Sequence, residues 1–467
     1  MRKTKYIGDR IFYRRIFAVM MPILLQNLIT NFVSLLDNIM VGQVGTEQMS
    51  GVAIVNQLLF VFNLAMFGVV SGGGVFSAQY FGKGDHKGVA DALKIKFYGA
   101  FLLIAAAVLV ANFGGAFLIN SFLHDSGDGL DMALTFANAQ EYLRIMLWGL
   151  IPFGITQSLG STLREISKTA VPMRAGITAV FVNLFFNWVL IYGKLGAPAL
   201  GVAGAAIATV ISRYVEAAVI IIWTVRHKSQ VEFTHHIKDS GNIFAVPSDL
   251  VREVVKIGIP MFLNELLWGG GQTMLNQIMS NRGLTVVSAL NISSTVSILF
   301  ECVYLSMGVA LSIILGQSLG AGEMERAVDE SRKISVFCVA VSTAVGLIML
   351  IVARRIPLIY NTTAEVKRIA GSLIIVSAAF MPLKAYVICL YYTIRSGGKT
   401  FITFLFDSCY TWVVCIPAVY ALVHLTGLDI ISINIWFQVA ANIKCVVGYV
   451  LVKKRIWVVN LVDKNQQ

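Results

Sequence analysis

Charged residues are scarce in this chain, and their scarcity limits the class of protein it can be. Lys, Arg, Asp and Glu make up 13% of the 467 residues, whereas hydrophobic residues make up 57%. A soluble domain has about 25% charged residues. Apolar stretches of spanning length recur along the whole sequence. The composition therefore excludes an ordinary soluble domain and predicts an all-α polytopic membrane protein.

Patterns that bind metals or carry out catalysis are also missing. The six cysteines lie inside apolar stretches without paired spacing, and the six histidines form no HExxH motif. The sequence offers no evident nucleophile with its base and no paired carboxylates near a predicted membrane face. A channel would need a filter of repeated carbonyls or a ring of one charge, and neither is evident. We therefore expect neither an enzyme nor a channel, and no bound cofactor.

About twelve apolar segments are long enough to cross a bilayer. Lys and Arg concentrate on alternate loops and at both ends of the chain. Because such residues favour the cytoplasmic side, we expect a multi-pass protein of the plasma membrane with both termini in the cytoplasm. The net charge of +12 reflects this topology and not nucleic-acid binding, because the basic residues are scattered over short loops. The predicted spans are 16–39, 52–80, 94–119, 135–160, 172–193, 201–225, 254–279, 286–318, 333–353, 370–394, 400–423 and 430–452.

The two halves of the sequence repeat each other. With a shift of 238 residues, QYFGKGD (79–85) corresponds to QSLGAGE (317–323), and further on LREISKT (163–169) corresponds to IRSGGKT (394–400). Six spans separate equivalent positions, so both halves have the same orientation and are related by an axis along the membrane normal. The positions that match at the shift of 238 include Pro22 and Pro260, Asn38 and Asn276, Gln79 and Gln317, and Gly82 and Gly320.

This repeat defines the expected domains. We predict two six-helix lobes, residues 1–225 and 254–467, joined by a cytoplasmic linker, residues 226–253. Two similar bundles that rock about a central cleft are typical of a secondary transporter.

Two carboxylates lie inside predicted spans. Asp37 belongs to the first span, and Glu265 lies among Phe, Leu and Trp residues of the seventh. An ionised carboxylate facing lipid at the bilayer centre would cost roughly 2.5–3.5 kcal/mol, so each must be neutral, paired or in a cavity. A purely structural ion pair is the alternative, because basic residues also lie in predicted spans. These are Arg144, Arg213, Lys384 and Lys444.

Uncharged polar side chains accompany the carboxylates. On the seventh span, Trp268, Gln272 and Asn276 follow Glu265 at helical spacing, which places all four on one narrow stripe. Such side chains line a bundle interior or a water-filled cavity, unless they only bridge neighbouring helices. We predict that they line a substrate cleft. The other predicted lining residues are Gln26, Asn27, Thr30, Asn31, Asn56, Asn63 and Lys384.

Over nearly the whole chain the sequence resembles the multidrug and toxic compound extrusion (MATE) transporters of bacteria. The resemblance rests on DNIMVGQVG (37–45), on LREISKTAVPM (163–173) and on the second-half copies QSLGAGE and IRSGGKT. It implies antiport, in which H+ or Na+ moves inward while an organic, often cationic and amphipathic compound leaves through a cleft between the lobes. It also implies that Glu265 and Asp37 are the ion-coupling residues, either of which could hold Na+.

Lys384 departs from the family pattern. Many members carry a carboxylate on helix ten, eleven residues before the arginine of the second-half loop motif, here Arg395. A site with a cation in place of that anion would bind Na+ less well.

A flippase for lipid-linked saccharides, from the same superfamily, is the nearest alternative. Such proteins commonly have additional spans and a basic cavity, whereas this chain has twelve predicted spans with acids and amides. A structural or receptor-like membrane protein is a more distant alternative, which the repeat and the intramembrane acids argue against. We expect a small organic substrate and the lipid bilayer as partners, no nucleic acid, and a monomeric protein.

Overall fold

The computed structural model describes residues 6–123, 131–239 and 245–463, apart from the side chains of residues 35, 38, 238 and 239. Within these ranges the chain is helical and has no β-strand, which confirms the all-α prediction. The helices are α1 (Arg10–Gly42), α2 (Thr46–Lys83), α3 (His86–Asn120), α4 (Met132–Trp148), α5 (Leu150–Glu165), α6 (Ala170–Tyr192), α7 (Gly201–Arg226), α8 (Phe233–Asp239), α9 (Ser248–Ser280), α10 (Leu284–Gly320), α11 (Met324–Val352), α12 (Ala364–Ser396), α13 (Thr400–Phe404), α14 (Ile416–Leu425) and α15 (Ile430–Lys453).

Ten helical segments in the described part of the chain are long and apolar enough to cross a membrane by themselves. The continuous segment from α13 to α14 counts as one of them, and it includes two π-helical turns, Leu405–Cys409 and Thr411–Cys415. The other two predicted spans correspond to α9 and to the α4–α5 pair. The chain is therefore a multi-pass membrane protein.

One predicted span, 135–160, is wrong as a continuous helix. The structure divides it into α4 and α5, with Gly149 between them. Pro152, in the first turn of α5, has no N–H to donate to the carbonyl of Trp148. On α7, Tyr214 donates a hydrogen bond to that carbonyl at 3.4 Å, and Arg213 donates to the carbonyl of Gly149 at 3.3 Å. Side chains of a neighbouring helix thus satisfy backbone groups at the break.

The helices form two compact units. The N-terminal unit comprises Leu25–Ser77 and Asp85–Gly258, and the C-terminal unit comprises Ile259–Gln467 together with Met1–Leu24 and Ala78–Gly84. The ends of α1 and α2 therefore belong with the second half of the chain. The predicted lobe boundaries at 225 and 254 stay a prediction.

In the N-terminal unit, α6 packs along α7, and α3 packs against α5 and α8. Lys96 is 1% exposed, and its ammonium group donates to Thr162 Oγ1 at 2.9 Å and pairs with Glu165. The predicted linker is partly folded, because Phe233 of α8 is 1% exposed and α8 lies against α3.

In the C-terminal unit, α10 and α12 form the centre, with α11 and α15 packed around α12. The segment after α15 lies across helix ends and belongs to the same unit. Trp457 is 1% exposed, the backbone N–H of Leu461 donates to Gln79 Oε1 at 2.7 Å, and Lys83 donates to the carbonyl of Val462 at 2.8 Å. The end of α2 is therefore held by the C-terminal segment of the chain.

The repeated loop motifs pack through their glycines. A methyl group on Gly82 of α2 would overlap the backbone carbonyl of Gln317, and one on Gly320 of α10 would overlap that of Gln79. These four residues are two pairs of equivalents at the shift of 238 residues. The contact is thus reciprocal, and each glycine is needed because two backbones approach closely.

Candidate functional site

Asp37 lies near the end of α1, within the N-terminal unit, and its partners are amides. Asn187 of α6 donates to Asp37 Oδ1 at 2.7 Å. Asn183 makes the most hydrogen bonds with its amide nitrogen towards Asp37 Oδ1, at 2.9 Å, and its oxygen accepting from Thr209 of α7 at 3.3 Å. In the described part of the chain, no lysine or arginine pairs with this carboxylate. Asp37 is therefore half-buried, hydrogen-bonded and not neutralised by a side-chain cation.

The sequence prediction missed both amides that hold Asp37. Asn183 and Asn187 are 5% and 1% exposed, and they stand four residues apart on α6, so they share a face. That spacing within an apolar span was a signal that could have identified them.

The predicted polar residues of α1 lie in the N-terminal unit at different depths. Gln26 packs against α6, where its Nε2 would lie 3.1 Å from a methyl group on Gly176. Asn27 and Asn31 are half-buried, whereas Thr30 is exposed on the surface of the unit. The assignment of these residues to a substrate cleft stays a prediction.

The predicted residues of α2 differ from each other. Asn56 is exposed, whereas Asn63 is half-buried, and its Oδ1 is fully enclosed without a hydrogen-bond donor among the described residues. A buried amide oxygen without a donor is costly, so this atom is available to a donor that the protein itself does not supply.

Glu265 lies on α9 in the C-terminal unit, near a guanidinium group. Arg395 Nη1 is 3.8 Å from Glu265 Oε1, and the two side chains are only 6% and 14% exposed. The guanidinium also lies over the rings of Tyr391 and Tyr392, at 5.9 and 5.2 Å from their centroids. Arg395 belongs to the loop motif IRSGGKT, so the structure places a motif residue beside the predicted coupling carboxylate.

The stripe predicted on the seventh span lies on one unbroken helix, α9. Trp268 is 38% exposed and Asn276 is also exposed, while Gln272 is half-buried. Their role in a substrate cleft stays a prediction. The next turn, Gly270 and Gly271, lies against the indole of Trp412.

Lys384 pairs with a carboxylate that the sequence prediction did not single out. Its ammonium group donates to Glu301 Oε1 of α10 at 2.9 Å, and the side chains are 22% and 25% exposed. The signal for Glu301 was present, because it stands alone in the apolar run LFECVYL.

A third carboxylate of this unit, Asp407, also has a basic partner. Lys444 of α15 donates to Asp407 Oδ1 at 2.7 Å. Asn264 donates to the other oxygen at 3.5 Å and to the Tyr391 hydroxyl at 3.2 Å. Asn264 precedes Glu265 on α9, so this network lies next to the predicted coupling carboxylate.

The two sets of carboxylates have different chemical capacities. Asp37 can accept a proton or a cation, because its amide neighbours add no charge, and the oxygens of Asn183 and Thr209 are suitable Na+ ligands. Glu265, by contrast, must share its negative charge with Arg395. A cation therefore fits the surroundings of Asp37 better than those of Glu265.

Comparison with known proteins connects this geometry to transporters. The family model MatE matches residues 22–189 and 260–421. The chain is 22% identical over 434 residues to a probable multidrug resistance protein NorM of Thermotoga maritima, covering 92% of this chain and 89% of that protein. It is 24% identical over 419 residues to the multidrug resistance protein MdtK of Yersinia pseudotuberculosis, covering 90% of this chain and 88% of that protein. In fold it is similar to a multidrug resistance MATE family transporter solved in an outward-facing conformation, with a TM-score of 0.84, 19% identity and 96% of each chain covered.

Proposed function

Because this chain belongs to the MatE family of bacterial multidrug transporters, we propose that it exports organic compounds from the cell in exchange for H+ or Na+. The substrates would be cationic and amphipathic. The names of the relatives support export of drugs and do not favour the alternative of a lipid-linked saccharide flippase.

The observation that carries this proposal is the state of Asp37. A carboxylate in a membrane helix with amide partners and no side-chain cation gains its neutralising charge from a proton, Na+ or the substrate. These ligands compete for one group, so binding of one excludes the others. Such exclusion couples the two flows, provided that each ligand favours a different conformation of the protein.

Glu265 has a second role in the proposal. With Trp268 one turn away on α9, it offers a carboxylate and an aromatic face to a cationic compound. Arg395 lowers the net charge available there, so a substrate would bind this position more weakly than an unpaired carboxylate would allow. Asp37 is accordingly the leading candidate for ion coupling.

We also propose that both termini are cytoplasmic, that the protein acts as a monomer, and that it binds no nucleic acid. The topology rests on the distribution of Lys and Arg. Cysteines introduced at Ser121, after α3, and at Ser229, after α7, test it on a cysteine-free background. A membrane-impermeant thiol reagent should label the first in intact cells and the second only after lysis, and the reverse pattern would contradict the orientation.

The decisive experiment is dye efflux from proteoliposomes that contain the purified chain. An ethidium-like cation is followed under an imposed proton gradient, an imposed Na+ gradient, and neither gradient. We expect gradient-driven movement of the dye under at least one ion. Equal rates with and without both gradients would overturn the proposed antiport.

A further inference from the structure

The helical segment from Thr400 to Leu425 is irregular around Asp407. Two π-helical turns, Leu405–Cys409 and Thr411–Cys415, follow each other. π-helical turns are rare and frequently mark functional sites, because the extra residue per turn re-aims side chains and backbone carbonyls. Asp407 lies in the first of the two turns.

Side chains from these turns attach the segment to α9. Ser408 Oγ donates to the backbone carbonyl and to Oδ1 of Asn264, both at 2.8 Å, and Trp412 Nε1 donates to the carbonyl of Leu267 at 2.8 Å. The position of Asp407 is therefore fixed on α9, beside Asn264 and one residue away from Glu265.

Oxygen atoms surround the charged end of this network. Asp407 contributes its carboxylate, Asn264 its amide oxygen, Ser408 its hydroxyl and Tyr391 its phenol, and all but Asp407 are buried. Carboxylate, amide and hydroxyl oxygens are the ligands that hard monovalent and divalent cations prefer. The cation in the structure is the ammonium group of Lys444, at 2.7 Å from Asp407 Oδ1.

We infer that the ammonium group of Lys444 fills a monovalent-cation site formed by Asp407 and its oxygen-bearing neighbours, and thereby excludes Na+ from it. The Asp407–Lys444 pair is neutral and only 18% and 14% exposed. Adding Na+ would create an unbalanced positive charge in a low-dielectric surrounding, which is unfavourable. Without the amine, the carboxylate would require a free cation in its place.

Lys384 and Glu301 show that a tethered amine is used more than once in this unit, at 2.9 Å and with similar exposure. The consequence for transport rests on the proposed ion exchange, because Na+ would then have no access to this carboxylate during the cycle. The site itself can be tested without transport, by binding alone.

The test is the effect of Na+ on thermal unfolding of the full chain in detergent. Choline chloride replaces NaCl at constant ionic strength, and NaCl is raised to about 100 mM. Lys444→Met keeps the length of the side chain and removes its charge. We expect Na+ to raise its unfolding midpoint saturably by roughly 2 °C or more, while the parent protein responds by less than roughly 0.5 °C.

Two further variants assign the response. The double change Lys444→Met with Asp407→Asn removes both charges and should lose the Na+ response. Lys333→Met is the matched control, because Lys333 also pairs with an aspartate, Asp329, whose side chain is 46% exposed. Water solvates that carboxylate, so we expect no Na+ response.

Each outcome decides the inference. A Lys444→Met protein that unfolds in choline but folds in Na+ supports it as strongly as a shifted midpoint does. A midpoint that Na+ does not move, a protein unfolded in both salts, or an equal response of the parent protein would overturn it. None of these results bears on drug export, which the efflux experiment tests separately.

Discussion

The two halves of the chain are alike where backbones meet and unlike where charges lie in the membrane. Gly82 and Gly320 make the same contact reciprocally, each against the glutamine carbonyl of the other motif. At the same shift of 238 residues, however, Asn27 corresponds to Glu265, and Asn63 corresponds to Glu301. The second half thus has carboxylates where the first half has amides.

The compensation differs accordingly. In the C-terminal unit, Glu265, Glu301 and Asp407 each lie within 4 Å of a basic side chain. In the N-terminal unit, Asp37 is held by amides instead. Duplication therefore preserved backbone packing, which tolerates little change, while the electrostatics of the halves diverged. A carboxylate without a tethered cation is the one that can exchange ions.

The largest expected effect is that of Asp37→Asn on transport. The amide keeps the hydrogen-bonding shape but has no charge to exchange, so gradient-driven dye efflux should fall by roughly a hundredfold, to the level of empty liposomes. Asp249→Asn is the control, because Asp249 is an exposed carboxylate at the start of α9. If Asp37→Asn transports at the parent rate while folding normally, ion coupling does not reside in the N-terminal unit.

Glu265→Gln should show the opposite balance between stability and transport. Removing this carboxylate leaves the buried guanidinium of Arg395 without its counter-charge, which costs up to about 3 kcal/mol of unfolding free energy. Transport should fall less than in Asp37→Asn. Chemical denaturation and dye efflux measured on both variants check the order. A larger transport defect in Glu265→Gln would place the coupling in the C-terminal unit.

Gly82→Ala and Gly320→Ala should destabilise the protein equally. Each new methyl group would overlap a backbone carbonyl, and relieving such an overlap costs about 1–3 kcal/mol. Gly114→Ala in α3 is the control, because no atom lies within 4 Å of its new methyl group. Thermal unfolding in detergent measures all three, and a clear difference between the first two would show that the repeat contact is not equivalent in the two motifs.

These contrasts also show what a sequence can predict. Helices and repeats follow from local composition and from a fixed shift, so the spans and the membership of Glu265, Trp268, Gln272 and Asn276 on one helix were accessible. Ion-pair partners were not. Glu301 and Lys384 are 83 residues apart, and periodicity assigns a side chain to a face of its own helix without stating which helix packs there.

The smallest expected effect concerns two equivalent helix starts. Asp85 precedes α3 and accepts a hydrogen bond from the backbone N–H of Gly88 at 2.8 Å. Glu323, its equivalent before α11, makes no such cap and pairs instead with Arg326, whose side chain is 53% exposed. A capping side chain contributes about 1 kcal/mol, whereas an exposed ion pair contributes about 0–1 kcal/mol with a median near the lower end. Asp85→Ala should therefore lower the unfolding free energy more than Glu323→Ala does. Added salt should reduce the effect of Glu323→Ala and leave most of the effect of Asp85→Ala, because screening weakens the exposed pair more than the hydrogen bond. Equal losses that respond equally to salt would show that the acidic residue stabilises both helix starts by charge alone.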